Sequence, residues 1–229
     1  MIDHARDLAA VREATERLLS AAAALDNAAV AAPSRLPGWS RGHVLAHIAR
    51  NADALANVLE GRPMYRDAAT RDADIERDAP RPLAAHLADV RDSGDRLLEA
   101  AGRPADWSRV ITLRNGVTDV AARVPFRRLV EVELHHVDLG IGRTLEDLPE
   151  EFTGREIDFL VERFAGHAEV PPLALTTPDG RHWRTGRPDG TPLTVTGPAP
   201  ELMGWLAGRR GGASLTTSPA GPLPVLPPL

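Results

Sequence analysis

One stretch, Arg127 to Gly140, places Glu131, Glu133, His135, His136 and Asp138 within eight residues. On a helix, Glu131 and His135 stand one turn apart on the same face and can converge on one ion. A second stretch, Ser40 to Asn51, carries His43 and His47 at the same spacing. These spacings support a divalent metal held by Glu131, His135 and one histidine of the earlier helix. Imidazole and carboxylate donors suit zinc and its first-row neighbours, and a two-histidine, one-carboxylate set leaves a coordination position open. An open position permits Lewis-acid work, or a lowered pKa for a bound water or thiol.

The choice of histidine is less constrained than the chemistry. His43 and His47 share a face, so both could be ligands, or His43 could only cap the helix start. His47 lies one turn deeper and next to the apolar stripe, which favours it. On the later helix Asp138 shares the face of Glu131 and His135, while Glu133 and His136 point elsewhere. Asp138 could accept a hydrogen bond from the ligating imidazole, or make a local backbone contact near the helix end.

Helical elements must position these groups. Apolar periodicity predicts a first helix from about Asp3 to Ala24 and a loop from Asp26 to Gly38. Ser40 is a plausible N-cap for a second helix that runs to about Glu60, with Val44, Ile48, Leu55 and Leu59 as its buried stripe. Arg62 to Arg81 is charged and aperiodic and reads as a solvated excursion. A third helix is expected over Pro82 to Ala101 and a fourth from about Pro125 to Leu139. Between them Val110 to Leu113, the Asn115-Gly116 pair and Val117 to Ala121 read as a small hairpin. A short fifth helix near Thr153 to Phe164 precedes a change of texture. Leu173 to Thr177, the neighbours of Trp183 and Leu193 to Thr196 read as strands, Ala199 to Leu206 as a helix, and Leu215 to Thr217 as a last strand. The expected fold class is therefore α+β, with a four-helix bundle over residues 1–150 and a small α+β domain with a proline-rich tail over 151–229.

Composition narrows the chemistry further. The 229 residues contain no cysteine, which excludes disulfides, thiolate nucleophiles and cysteine-rich zinc sites. All 27 basic residues are arginine, which excludes Schiff-base chemistry and a Walker-type phosphate lysine. A net charge of -5 gives no electrostatic reason to expect nucleic acid or an anionic membrane. No apolar run approaches the roughly 20 residues of a membrane span. Asp3, His4 and Arg6 at the start do not read as a secretory signal, so a cytoplasmic location is expected. No Gly-x-Ser-x-Gly elbow, dinucleotide fingerprint or His-Glu-x-x-His motif is present.

Leu36 to Asp53, which includes Pro37-Gly38-Trp39-Ser40 and His43 to His47, resembles the start of the second bundle helix in mycothiol-dependent maleylpyruvate isomerases, members of the wider DinB-like metalloprotein superfamily. Arg127 to Gly140 resembles that family's second metal motif, and Trp205 to Arg209 its C-terminal arginine motif. The resemblance covers nearly the whole chain in the right order. It implies a DinB-like bundle in which His47, Glu131 and His135 bind zinc or another divalent metal. It also implies that Arg209, with Arg210 as its rival, meets the substrate's carboxylates, a task suited to a planar guanidinium fork.

The implied reaction converts maleylpyruvate, or a similar unsaturated dicarboxylate, to its trans isomer. A thiolate adds to the alkene, rotation follows, and the thiolate leaves again. A chain without a thiol must borrow one, and the resemblance implies mycothiol, the low-molecular-weight thiol of actinobacteria. The bias toward Ala, Arg, Gly and Pro agrees with a high-GC bacterial source. The expected partners are thus a small-molecule substrate and a thiol. Two alternatives use the same residues: a mycothiol S-transferase acting on another electrophile, and a non-catalytic metal-binding protein.

Overall fold

The structure is a computed structural model that describes residues 2–103 and 106–228; residues 1, 104, 105 and 229, which the expected domain ranges include, lie outside the described residues. The chain divides into two compact units, Met1–Arg143 and Thr144–Leu229.

The first unit is built on α1 (His4–Ala22), α3 (Arg41–Leu59), α5 (Leu83–Gly102) and α6 (Val124–Asp138). These four form a closed ring of contacts, α1 against α6, α6 against α3, α3 against α5, and α5 against α1. Val11, Ala14 and Leu18 of α1, Val44, Leu45, Ile48 and Leu55 of α3, Val90 and Leu97 of α5, and Leu129 and Val132 of α6 fill the middle. Each helix has one apolar stripe and can bury it only against the others, which is why a bundle results. Local signals set the ends. Asp3 accepts a hydrogen bond from the Arg6 N–H at the start of α1, and Ser40 caps α3. Proline in the first turn opens α6, and Gly140, at φ +66°, follows its end.

β1 (Val110–Thr112) and β2 (Thr118–Val120) pair antiparallel between α5 and α6, as the hairpin reading expects. The turn needs left-handed backbone at two successive positions, and Asn115 (φ 58°) and Gly116 (φ 73°) supply it.

Two segments of this unit differ from their sequence reading. A short α2 (Asn27–Ala31), capped by the Asp26 side chain, interrupts the expected loop. The expected solvated excursion contains an eleven-residue helix, α4 (Ala68–Asp78), packed on α3. Its anchors are Ile75 and a buried carboxylate, Asp78, which is ringed by Arg50, Arg77 and Arg81. An ionic anchor leaves no apolar period to read.

The second unit contains α7 (Glu150–Phe164), α8 (Ala199–Leu206) and four strands: β3 (Leu173–Thr176), β4 (His182–Thr185), β5 (Leu193–Thr196) and β6 (Thr216–Ser218). The sheet order is β4-β3-β5-β6, with β3 and β5 parallel and both outer pairs antiparallel. Phe152, Ile157, Leu160 and Phe164 of α7 pack with Leu173, Leu175 and Val195 of the sheet and Leu202 and Met203 of α8 as its buried apolar residues. A 3₁₀ turn over Leu145–Asp147 packs on α8 and so belongs to this unit.

Candidate metal centre

α3 and α6 bring His47, Glu131 and His135 together. The Glu131 Oε2 atom lies 3.0 Å from His47 Nε2 and 3.2 Å from His135 Nε2. One ligand atom from each residue lies within 4.8 Å of the others, an arrangement that could hold a metal ion. A tetrahedral ion with bonds of about 2.0–2.1 Å keeps its donor atoms about 3.3 Å apart, close to the spacing found here. The donor set and its spacing therefore fit a first-row divalent metal.

Registry between the two helices depends on a residue whose role is not apparent from its type. Arg128 is completely buried, and its Nη1 donates to the Ile48 carbonyl at 2.7 Å and to Asn51 Oδ1 at 2.9 Å. Ile48 follows His47 in the chain, and Arg128 precedes Glu131 by one turn of α6. The guanidinium thus ties the turns that carry His47 and Glu131 to each other. Burial lowers its pKa to about 10, which still leaves it charged at neutral pH.

The hydrogen bonds also define protonation. His135 Nδ1 lies 2.9 Å from Asp138 Oδ2 while its Nε2 faces Glu131, so both ring nitrogens meet carboxylates. Burial alone would lower the His135 pKa, but the bonds to Asp138 and Glu131 outweigh it and raise the value above that of a free imidazole. His47 goes the other way: burial, only partly opposed by Glu131, lowers it to about 4. Its neutral ring has one proton. Because Nδ1 faces Arg71 Nη2 at 3.2 Å, and a guanidinium can only donate, that proton is on Nε2 and points at Glu131. Burial would raise the Glu131 pKa, but hydrogen bonds from His135 and His47 hold it well below the usual carboxylate range. The cluster therefore offers an anionic carboxylate and one imidazole already neutral.

The remaining candidates separate cleanly. His43 Nδ1 sits 3.1 Å from the Ser40 N–H and 2.7 Å from the Ser40 hydroxyl in a capping box, so it closes the start of α3. Glu133 is paired with Arg17 and Arg143, and His136 is buried away from the cluster. Three neighbours of the site escaped the sequence reading. Trp39 places its ring centroid 5.5 Å from that of His47, Arg71 comes from α4, and Tyr65 hydrogen-bonds to Arg71. Only the position of Trp39, just before the helix cap, was visible in the sequence.

A family model, the mycothiol maleylpyruvate isomerase N-terminal domain, matches residues 11–140. The chain belongs to the mycothiol maleylpyruvate isomerase family. A second model, the MDMPI C-terminal domain, matches residues 147–228, so the two matches span both units. Among solved structures, a mycothiol-dependent maleylpyruvate isomerase is 25% identical, with a TM-score of 0.89 over 99% of this chain and 97% of that one. A histidine-to-alanine mutant of the mycothiol-dependent maleylpyruvate isomerase gives the same values. No curated protein matches by sequence. The isomerase family membership agrees with the α+β architecture expected from the sequence. No helix among the described residues is long and apolar enough to cross a membrane.

In the second unit, the two arginines after α8 have different surroundings. Arg210 bonds both oxygens of Glu146, at 2.5 and 2.8 Å, and Glu201 Oε2 at 2.9 Å. Its own pKa rises, and it holds Glu146 down to about 2. Arg209 directs Nη1 to the Ala207 carbonyl at 2.9 Å and lines a cavity of about 600 Å³ together with Trp205 and residues of the proline-rich tail.

Proposed function

We propose that this protein is a metal- and mycothiol-dependent cis–trans isomerase acting on maleylpyruvate or a similar unsaturated dicarboxylate. The observation that carries the reading is the convergence of His47 Nε2, Glu131 Oε2 and His135 Nε2 on one point. It lies within a chain that belongs to this family and has no thiol of its own. His47, Glu131 and His135 hold the metal, and zinc is the ion their donor set suits best. When bound, the metal holds a sulfur as thiolate near neutral pH, and mycothiol supplies that sulfur as a nucleophile that adds to and leaves the alkene.

The chain's own residues orient and neutralise. Asp138 fixes the His135 ring by accepting from Nδ1, which leaves Nε2 for the ion. Arg128 holds α3 and α6 in register. Arg209, with Arg210 as its rival, is the arginine that meets a substrate carboxylate and stabilises charge developing on the substrate. The reaction takes place in the cytoplasm, with mycothiol and one small-molecule substrate as the partners.

Incubation of the zinc-loaded protein with mycothiol and maleylpyruvate tests this directly. Fumarylpyruvate is the expected product. Consumption of mycothiol into a stable adduct instead would identify an S-transferase. A protein that keeps its metal but turns over neither substrate would be a binding protein.

A further inference from the structure

The open side of the metal cluster carries a cation that the proposed reaction has not yet used. His47 and His135 are almost fully buried, whereas the Glu131 side chain is 32% exposed, so the cluster opens on the Glu131 side. Arg71, on α4, reaches the same cluster from the first unit. Its Nη1 pairs with Asp72 at 2.6 Å, and Asp72 is itself largely in solvent. Its Nη2 donates to His47 Nδ1 at 3.2 Å, and Tyr65 beside it shares a hydrogen bond with the same guanidinium.

The contact to His47 is incompatible with a loaded site. When His47 Nε2 gives its lone pair to an ion, the proton of the neutral ring resides on Nδ1. Nδ1 then becomes a donor facing a second donor, and a guanidinium has no acceptor to offer. Ligating histidines ordinarily present that proton to a carboxylate, carbonyl or water, as His135 does to Asp138. Metal entry therefore releases Arg71 Nη2 from His47, beside the cluster's open side.

We infer that Arg71 is a substrate-binding residue, released by metal loading to hold one carboxylate of the unsaturated dicarboxylate beside the metal, with Tyr65 as its neighbour. The inference rests on the metal-centre reading and deepens it with a carboxylate contact supplied by the bundle itself. A dicarboxylate has two anionic ends, and an ion and Arg71 give each of them a cation. Arginine suits the role because a planar fork can exchange an imidazole nitrogen for a carboxylate oxygen with little rearrangement.

The test uses maleate, a cis-unsaturated dicarboxylate, and requires neither mycothiol nor turnover. Zinc-loaded wild-type protein and R71Q are titrated with maleate by calorimetry, and zinc affinity is measured for both by chelator competition. Loss of one charge-assisted contact is expected to weaken maleate binding about ten- to a hundred-fold in R71Q. R71Q is expected to bind zinc more tightly than wild type, because the donor competing for His47 Nδ1 is gone. R71K keeps the charge without the fork and is expected to fall between them for maleate. Equal maleate affinity in R71Q and wild type overturns the inference, as does weaker zinc binding in R71Q. Absence of isomerisation by the wild type overturns the proposed reaction instead, and leaves the maleate measurement standing on its own.

Discussion

His135 Nδ1 and Asp138 Oδ2 are 2.9 Å apart, one turn of α6 from each other, with Asp138 almost wholly buried. The carboxylate fixes the ring so that only Nε2 is left for an ion, and it increases the basicity of that nitrogen. Asp138→Asn keeps the shape and removes the charge. We expect zinc affinity to fall by about ten- to a hundred-fold, measured by chelator competition, with the helical circular dichroism unchanged. Unaltered affinity would mean that Asp138 serves only the local backbone.

The ligand assignment is tested by removal. His47→Ala and Glu131→Ala are each expected to lose most bound metal in elemental analysis while retaining helical content. Retention of helix follows from the core, which consists of residues such as Val44, Leu45, Ile48 and Leu129 and not of the cluster. Full metal occupancy in either variant would remove that residue from the set. His43→Ala is the control: it disturbs a capping box, so metal should stay and stability should drop by about 1 kcal/mol.

Much of this site was legible because its residues obey the period of the helix that carries them. Glu131, His135 and Asp138 lie at spacings of four and three, and His47 lies beside the α3 stripe. What was not legible came from outside that period. Arg71 reaches His47 from α4, whose own fixing point is Asp78 among three arginines, a pattern that looks like a solvated run of charges. Arg128 is equally opaque, because a buried arginine whose bonds go to a carbonyl and an amide looks in the sequence like any solvated arginine of a helix. In the second unit the strands were marked by β-branched runs between turn residues, but the parallel pairing of β3 with β5 is a matter of topology that local pattern does not encode.

A second close approach on α3 is the basis for a stability prediction. A Cβ on Gly42 would overlap the backbone carbonyl oxygen of Ala79, the residue that ends α4, and come within 3.3 Å of His86 Nε2. Backbone cannot give way as a flexible side chain can. Gly42→Ala is therefore expected to destabilise the first unit by about 1–3 kcal/mol, read as a lower midpoint in urea. An unchanged midpoint would show that α4 can lift off α3 without cost.

His86 predicts a pH dependence. It is buried, its Nε2 lies 3.2 Å from the Ala79 carbonyl, and burial lowers its pKa below that of a free imidazole. The unfolded chain therefore takes up this proton at a higher pH than the folded one. Stability is complete above the unfolded value of about 6.5 and declines as pH falls from there toward the folded value. His86→Gln keeps an N–H for the carbonyl and does not titrate. Its stability, followed by urea unfolding between pH 7 and pH 5, should fall less steeply than that of the wild type; equal slopes would remove His86 from the acid response.

The two arginines that follow α8 give opposite expectations. Arg210 is bound to Glu146 and Glu201, and it holds the Glu146 carboxyl down to about 2. Glu146 is mostly exposed, so solvent screens the pair and its contribution to stability is on the order of 1 kcal/mol or less. Arg210→Ala should thus lower the thermal midpoint slightly and leave turnover in place. Arg209→Ala should retain zinc and the thermal midpoint but lose turnover by a hundred-fold or so, the scale of one charge-stabilising contact in a reaction. Steady-state kinetics of the two variants, with metal content measured on the same preparations, separates them. If the loss falls on Arg210→Ala, the carboxylate contact belongs to Arg210, and its pairing with Glu146 and Glu201 must open for substrate.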